Sequence, residues 1–352
     1  MSEFRIKPFI FAALSLGACL NAASMDFLNL SPGAASSGRG GASVAETGSL
    51  EGLFQNPASL AFLQTKGPGL AALAAYDPRE GGQGVYRFAV SGGFQSLSLA
   101  LGIHGIRYPN LIGGLEDALS VGREIELSSY AAHAALAVPI ALGKSRLDLG
   151  TKLAVAEQSL DGTKYSTLSL DVGSILNIPL GKNGNLAFAA AVRNLSLQQE
   201  GRSGSLTLPI LFCGGIAGEV FFENVSGGKT FSLKALADAD LSLENDPVLR
   251  LGGEAWLLGK FGLRGGFSGG REGFKFQTGA GLRLTLLGVE WDADYSFLPF
   301  GNAGPEHHLQ LMAKLPLGKI LGIEKQVRGP QMKVADAKVE TEANNEMLSS
   351  EE

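Results

Sequence analysis

The stretch at residues 287–297, LGVEWDADYSF, alternates strictly between apolar and polar side chains. Side chains on a β-strand point to opposite faces with a period of two, so this strand has one apolar face and one ionised face. The same alternation recurs in segments of about ten residues through most of the chain from residue 67 onward. The pattern predicts an all-β fold made of many similar strands.

The segments number about fourteen, an even number, as in single-chain bacterial outer-membrane barrels. Their connections alternate between short ones, such as LGK at residues 258–260, and longer ones, the longest at residues 109–122. Barrels of this kind have short periplasmic turns and longer outer loops. Residues 67–318 are therefore predicted to form a transmembrane antiparallel β-barrel of about 14 strands in the cell outer membrane, with both termini periplasmic and the eighth strand at residues 204–222.

The first residues have the pattern of a secretion signal. Arg5 and Lys7 precede an apolar core, PFIFAALSLGACL, that is too short to span a bilayer. Ala22 and Ser24 provide small residues for cleavage, which predicts a signal peptide at residues 1–24. The alternative is a lipobox in which Cys19 is lipidated and retained.

Composition narrows the class of protein. Charged residues make up 18% of the chain and the net charge is −5, without a lysine- and arginine-rich stripe. Nucleic acid is therefore excluded as a partner. The chain has two cysteines, and once the leader is removed Cys213 has no intrachain partner, so we expect it to be a small apolar strand residue.

On the predicted strands near the C-terminus, ionised residues share the face opposite the apolar one. Both signs occur on neighbouring strands, which favours cross-strand ion pairs that fill and stiffen the lumen. A ring that selects ions is the alternative. The predicted lumen charges are Arg250, Glu254, Arg264, Lys275, Arg283, Glu290, Asp292, Asp294 and Lys314.

Residues 31–64 are neither strand-like nor a signal. Glycines that permit close backbone approach are followed by apolar residues at helical spacing and then by a proline that ends the turn. We expect a compact plug inside the barrel, with the hatch at residues 25–66. Its apolar side chains are candidates to line a ligand pocket or simply to pack the plug onto the wall, and these are Phe54, Leu60, Phe62 and Leu63.

The tail at residues 319–352 departs from the strand pattern. Its acidic end has few large apolar residues and is expected to be disordered, because it cannot bury enough apolar surface. We expect a solvated periplasmic tail, with docking of a partner as the alternative.

Two groups of motifs resemble a known family. The run GAASSGRGGASVA at residues 33–45 is followed by the asparagine-proline-alanine motif at residues 56–58. LGGEAW, LRGGF, TGAGL, WDADYSF and HHLQL follow in the C-terminal half. The chain resembles the FadL-like outer-membrane barrels, and within them most closely the PorV/PorQ branch and its uncharacterised relatives.

The resemblance implies a fourteen-stranded barrel with an N-terminal hatch that contains Gly40, Gly41, Asn56, Pro57 and Ala58. It implies uptake of hydrophobic, long-chain fatty-acid-like solutes by a hatch-gated route. The alternatives are a PorV-like shuttle or assembly component of protein secretion, and a structural envelope protein. The implied partners are membrane lipids, a hydrophobic small molecule, and secretion-system or periplasmic proteins.

Enzyme chemistry is not expected. The adjacent histidines 307 and 308 lack converging ligands for a metal, and Asp292 and Asp294 share one strand face without an opposing partner. No serine is placed with a histidine in a pattern typical of a catalytic nucleophile and its base. The run GGREG lacks the lysine and the serine or threonine that end a phosphate-binding loop. We therefore predict no catalytic residues, no metal site and no cofactor.

Overall fold

A computed structural model describes residues 25–64, 68–78, 84–94, 96–112, 124–160, 163–197, 200–201, 204–205, 208–223, 229–242, 246–270, 273–301 and 304–317. The predicted signal peptide, with Cys19, and the tail at residues 319–352 lie outside this part. No helix in the described part of the chain is long and apolar enough to cross a membrane.

Fourteen antiparallel strands close into one barrel, which confirms the predicted fold class and strand number. The strands are β1 (Gly69–Pro78), β2 (Gly84–Phe94), β3 (Leu97–Ile112), β4 (Glu124–Leu142), β5 (Ser145–Leu160), β6 (Thr163–Pro179), β7 (Gly184–Leu197), β8 (Leu211–Glu223), β9 (Lys229–Ser242), β10 (Val248–Leu257), β11 (Phe261–Gly270), β12 (Gly273–Leu286), β13 (Val289–Gly301) and β14 (Gly304–Leu315).

Each strand pairs with its neighbour in the chain, and β1 closes the barrel against β14 in a register that pairs Leu70 with Leu315. Connections that follow even-numbered strands lie at one end, here called the short-turn end; after β12 the connection is residues 287–288. Connections that follow odd-numbered strands lie at the opposite, long-loop end. Both β1 and the end of β14 meet the short-turn end.

The eighth strand begins later than the sequence predicts. The prediction of a strand from residue 204 is wrong, because β8 starts at Leu211. Glu200–Gly201 pairs instead with Gly204–Ser205 in a separate two-stranded hairpin. Leu208 then turns into the lumen and is buried there. Leu208 is therefore buried inside the barrel and is not part of β8.

A belt of large apolar side chains surrounds the outside of the barrel. Every strand contributes at least one exposed member, far beyond the scattered apolar residues of an ordinary soluble surface. One representative per strand is Leu70, Phe88, Leu99, Leu136, Leu153, Val172, Phe188, Phe212, Leu233, Leu249, Leu263, Phe276, Tyr295 and Leu309.

The belt gives a test of what surrounds the barrel. Leu251, in the middle of β10, is 59% exposed. If lipid covers it, Leu251→Arg should cost about 2–4 kcal/mol of stability in vesicles, because a lipid-facing arginine must be desolvated. Leu287→Arg, at a fully exposed short turn, should cost almost nothing. Urea unfolding in lipid vesicles measures both, and equal stability of the two variants would contradict a lipid-facing belt.

Residues 25–64, here called the N-terminal segment, lie inside the barrel. They contain α1 (Ala34–Gly38), α2 (Gly52–Gln55) and two 3-10 helices, Asp26–Asn29 and Pro57–Gln64. Their apolar side chains pack on inward-facing wall residues in clusters that run from one end of the lumen to the other. The hydrophobic core therefore lies between the segment and the wall.

Candidate functional site

The wall comes closest to the N-terminal segment at inward-facing glycines. A Cβ on Gly266 of β11 would overlap the backbone of Arg39 and Gly40. Gly40 has a φ of +71°, and a Cβ on it would lie 2.5 Å from the backbone nitrogen of Phe267. Glycine has no Cβ and adopts a positive φ easily, so the two backbones can touch at these positions. Other wall glycines that face the segment are Gly150, Gly173, Gly215, Gly252 and Gly279.

Wall side chains also bind the backbone amides of the segment. Oδ2 of Asp238 accepts hydrogen bonds from the N–H groups of Ser43, at 2.5 Å, and Val44, at 2.8 Å. Oε1 of Gln310 accepts one from the N–H of Ala34 at 3.1 Å. A buried amide without a partner costs about 1–3 kcal/mol, so these contacts hold the segment in one position.

Glu51 folds the segment on itself. Its two carboxylate oxygens accept hydrogen bonds from the N–H groups of Ala35 and Ser36, at 3.2 and 3.1 Å. These amides lie at the start of α1, where helix N–H groups lack backbone partners. Burial raises the pKa of the Glu51 carboxyl above its ordinary value, although the charge of Arg39 opposes the shift. The segment is therefore an internally bonded unit and not only a chain lying on the wall.

Arg39 links the segment to the charges of the wall. Its Nη1 donates to Oε2 of Glu254 at 2.8 Å, and the same oxygen accepts from Nε of Arg264 at 2.6 Å. Arg264 continues to Asp294 at 2.7 Å, and Arg39 also pairs with Glu46 at 3.4 Å. The Arg39 side chain is 3% exposed. Removal of one member of such a network would leave a buried charge without compensation.

The asparagine-proline-alanine motif forms a turn against β5 and β6. Nδ2 of Asn56 donates to the carbonyl of Val44 at 2.8 Å, and its Oδ1 accepts from the N–H of Ala58 at 3.1 Å. Gly173 lies against Oδ1 of Asn56, and Gly150 against the backbone at residues 57–58. The motif thus joins two parts of the segment and seats them on the wall.

The predicted glycine part of the hatch lies elsewhere. Gly40 and Gly41 contact Phe267 and Arg250, on β11 and β10. The asparagine-proline-alanine motif instead lies against β5 and β6. Both parts lie in the segment, and their role in gating stays a prediction.

The candidate ligand-lining residues with described side chains are buried in contacts between segment and wall. The Phe54 ring packs on His104 and His133, with centroids 5.8 and 5.3 Å away. Leu60 is fully buried, and its carbonyl accepts a hydrogen bond from Oγ of Ser98 at 2.9 Å. The side chains of Phe62 and Leu63 lie outside the described part. In this conformation Phe54 and Leu60 pack the segment, and a ligand-lining role stays a prediction.

An apolar cluster occupies the lumen towards the long-loop end. Side chains of the segment meet inward-facing wall residues that break the usual polar pattern of a barrel interior. Its principal members are Met25, Phe27, Leu28, Val85, Ile106 and Leu208. All six side chains are buried.

Arg193 binds the N-terminal segment and was not among the predicted site residues. Its Nη2 donates to the carbonyl of Leu28 at 2.9 Å and its Nη1 to Oε1 of Gln55 at 3.3 Å. The side chain thereby joins the two ends of the segment to β7. A single arginine directly after the apolar stretch LAFAAAV was the available signal.

The predicted lumen charges face inward, many in ion pairs. Arg250 pairs with Asp240 at 2.6 Å, while Arg283 and Lys314 both pair with Asp292, at 2.7 and 3.3 Å. These pairs join neighbouring strands. The alternation of the strands places all nine predicted side chains on the inner face: Arg250, Glu254, Arg264, Lys275, Arg283, Glu290, Asp292, Asp294 and Lys314.

A cavity of about 520 Å³, here called the short-turn cavity, lies between the N-terminal segment and the short-turn end. Residues 46–49 of the segment line one side, and strand ends such as Gly69 and Thr285 line its mouth. Its walls carry charges of both signs together with several apolar side chains. The lumen thus contains an apolar cluster towards the long-loop end and a cavity at the opposite end.

The adjacent histidines point to opposite faces. Nδ1 of His307 lies 2.8 Å from the hydroxyl of Tyr295 on the outside, while Nδ1 of His308 lies 2.9 Å from Asp77 inside the lumen. They cannot share one metal ion. Among the residues that the structure describes, no group of three or more histidine, cysteine, aspartate or glutamate side chains could hold a metal.

Comparisons with known proteins find similar barrels among solved structures. No protein-family model matches the sequence, and no curated protein matches it. The toluene transporter TbuX of Ralstonia pickettii is 12% identical with a TM-score of 0.49, over 80% of this chain and 97% of its own. A FadL homologue of Pseudomonas aeruginosa is 11% identical with a TM-score of 0.48, over 81% of this chain and 98% of its own.

A deltaS2 mutant of the TodX monoaromatic hydrocarbon channel is 12% identical with a TM-score of 0.49, over 81% of this chain and 98% of its own. At this level of identity and overlap, the function has to be argued from the geometry of the present chain. The resemblance to the PorV/PorQ branch stays a prediction.

Proposed function

We propose that the chain is an outer-membrane barrel for uptake of hydrophobic solutes, with residues 25–66 as a movable hatch. The observation that carries the proposal is the apolar cluster inside the lumen, where Phe27 and Leu28 of the segment pack on Val85 and Ile106 of the wall. A lumen built only to stiffen a barrel would be polar and wet. Apolar wall positions inside it offer a surface that a hydrophobic solute could cover when the segment moves away.

The exposed apolar belt supports a membrane location. A barrel satisfies its backbone hydrogen bonds internally, so its apolar outside can face lipid. We propose the outer membrane, with the long-loop end outside and both termini periplasmic. The lengths of the connections at the two ends support this orientation.

The contacts of the segment suit a hatch that opens and closes again. Many of its anchors are side-chain hydrogen bonds and ion pairs, such as those of Asp238, Arg193 and Glu254. Such contacts are made in one geometry and can be exchanged for water when the segment leaves. A long-chain fatty-acid-like solute is the class that we propose.

The test is to hold the segment on the wall. Oγ of Ser37 lies 2.9 Å from Oε1 of Gln277 on β12. The variant lacks Cys213 and carries Ser37→Cys and Gln277→Cys. A short crosslinker that bonds to both cysteines through disulfides should lower uptake of a labelled long-chain fatty acid at least tenfold (~1.4 kcal/mol or more of added barrier). A reducing agent should restore it. The cells used should lack their own uptake barrel.

The matched control joins two wall strands and leaves the segment free. Ser268 and Lys275 are paired across β11 and β12. The same reagent on Ser268→Cys and Lys275→Cys should leave uptake unchanged. Full uptake through the barrel with the segment locked would contradict the hatch.

A further inference from the structure

Three connections at the short-turn end carry the same sequence. Leucine-glycine-lysine stands at residues 142–144 between β4 and β5, at 180–182 between β6 and β7, and at 258–260 between β10 and β11. The three glycines have φ values of +62°, +68° and +62°, so the same left-handed position is built three times. The repeat places a leucine and a lysine, two residues apart, at three points around this end of the barrel.

The leucines of these turns continue the apolar belt to its edge. Leu142, Leu180 and Leu258 are 48%, 55% and 56% exposed. On β4, Leu142 follows the outward-facing Ile140, which belongs to the same belt. A large apolar side chain exposed at a turn is unfavourable in water and favourable at the boundary of a lipid layer. The leucines therefore mark the level at which the lipid layer ends.

The lysines stand at this boundary. Lys144, Lys182 and Lys260 are all exposed. A lysine beside an apolar boundary lays its stem along the apolar surface and keeps its ammonium group at the level of the lipid headgroups. At that level a lysine attracts anionic lipids. A leucine and a lysine so placed fit a lipid that has an acyl chain and a negatively charged headgroup.

The two ends of the barrel differ in charge. In the sequence, the connections at the short-turn end contain these three lysines and no acidic residue, whereas those at the long-loop end contain eight acidic and four basic residues. Acidic side chains near the short-turn end, such as Glu219 and Glu290, line the short-turn cavity and face the lumen. The lipid that meets the short-turn end therefore encounters positive charge at the turns.

We propose that the three leucine-glycine-lysine turns bind anionic phospholipid, of the phosphatidylglycerol class, in the leaflet that meets the short-turn end. Each lysine pairs with the phosphate of a headgroup, and each leucine lies on the adjoining acyl chain. The inference needs the outer-membrane location of the barrel but not the uptake of a solute. It gives the barrel a lipid preference at one of its two ends.

Native mass spectrometry of the full chain in a mild nonionic detergent measures the affinity for each bound lipid. At each turn, phosphatidylglycerol should bind about fivefold more tightly than phosphatidylcholine with the same acyl chains, because the net charge of its headgroup is negative. Lys144→Gln, Lys182→Gln and Lys260→Gln together should remove this preference. The gel mobility of unboiled samples should stay unchanged, since all three side chains are exposed.

Two matched variants separate this site from general effects of charge. Lys164→Gln removes a lysine that is 66% exposed at the long-loop end, and should keep the preference. Leu287 and Gly288 repeat the start of the motif, with a φ of +78° at the glycine, but a valine follows them. Val289→Lys completes the motif and should add one further site that prefers phosphatidylglycerol. General damage to the fold would not add a site.

Equal binding of the two lipids by the original protein would overturn the inference, as would an unchanged preference in the triple variant or no added site with Val289→Lys. Displacement of phosphatidylglycerol by inorganic phosphate or by a glutamate-rich peptide would also overturn it, because the turns would then bind a soluble anion or an acidic protein. A preference that fades between 0.1 M and 1 M salt would support it, since the screening length falls from about 10 Å to about 3 Å. Uptake by cells tests the transport proposal separately.

Discussion

Gly266→Leu should open the barrel. The position faces the backbone of Arg39 and Gly40, and a Cβ there already overlaps both. Backbone cannot move aside as the end of a flexible side chain can, so the leucine should cost at least about 3 kcal/mol, the upper end for overpacking, and reduce the seated population more than a hundredfold. In planar bilayers the variant should show persistent ion-conducting openings where the original protein shows a closed baseline.

The neighbouring glycine is the control. Gly265 faces away from the segment, and a Cβ there meets no atom within 4 Å. Gly265→Leu adds the same side chain to the same strand and should leave the closed baseline unchanged. A closed Gly266→Leu barrel, or equal opening in the two variants, would show that contact between segment and wall does not keep the lumen shut.

Arg39→Met should loosen the segment without adding bulk. Among the described residues, the methionine leaves Arg264 as the one ion-pair partner of Glu254 and Lys234 as that of Glu46. Loss of one partner of a buried ion pair costs about 3–5 kcal/mol. Hydrogen exchange followed by mass spectrometry should show that loss of protection at the amides of α1, while the strands keep theirs.

A second substitution separates charge from packing. Arg39→Met combined with Glu254→Gln should recover part of the lost protection, because the carboxylate left without Arg39 is then neutral. Arg264 keeps Asp294 as its partner at 2.7 Å in the double variant. If the losses of protection caused by Arg39→Met and by Glu254→Gln simply add in the double variant, Arg39 acts through packing alone.

The barrel could be predicted from local sequence. Alternation with a period of two locates strands and separates their faces, as with Leu251 outside and Glu254 inside on β10. The exception is the start of β8, where Leu208 is buried in the lumen. Alternation cannot show that, because an apolar residue in a loop and one on a strand look the same in sequence.

The partners of the segment could not be predicted in the same way. The hydrogen bond between Ala34 and Gln310 spans 276 residues, and the one between Ser37 and Gln277 spans 240. No periodic pattern relates such distant positions. A usable signal was the set of glycines at inward positions of the wall, such as Gly252 and Gly266, where a barrel that merely fills its lumen would carry side chains.

The connection between the segment and β1 has a kinetic consequence. The segment is followed by the start of β1 at Gly69, at the short-turn end, so a displaced segment stays tethered to the mouth that it has left. A short tether keeps an effective concentration in the millimolar range. Resealing is then a first-order event that is independent of how much protein the membrane holds. Each barrel would close itself after a passage, with no soluble factor needed to restore the permeability barrier.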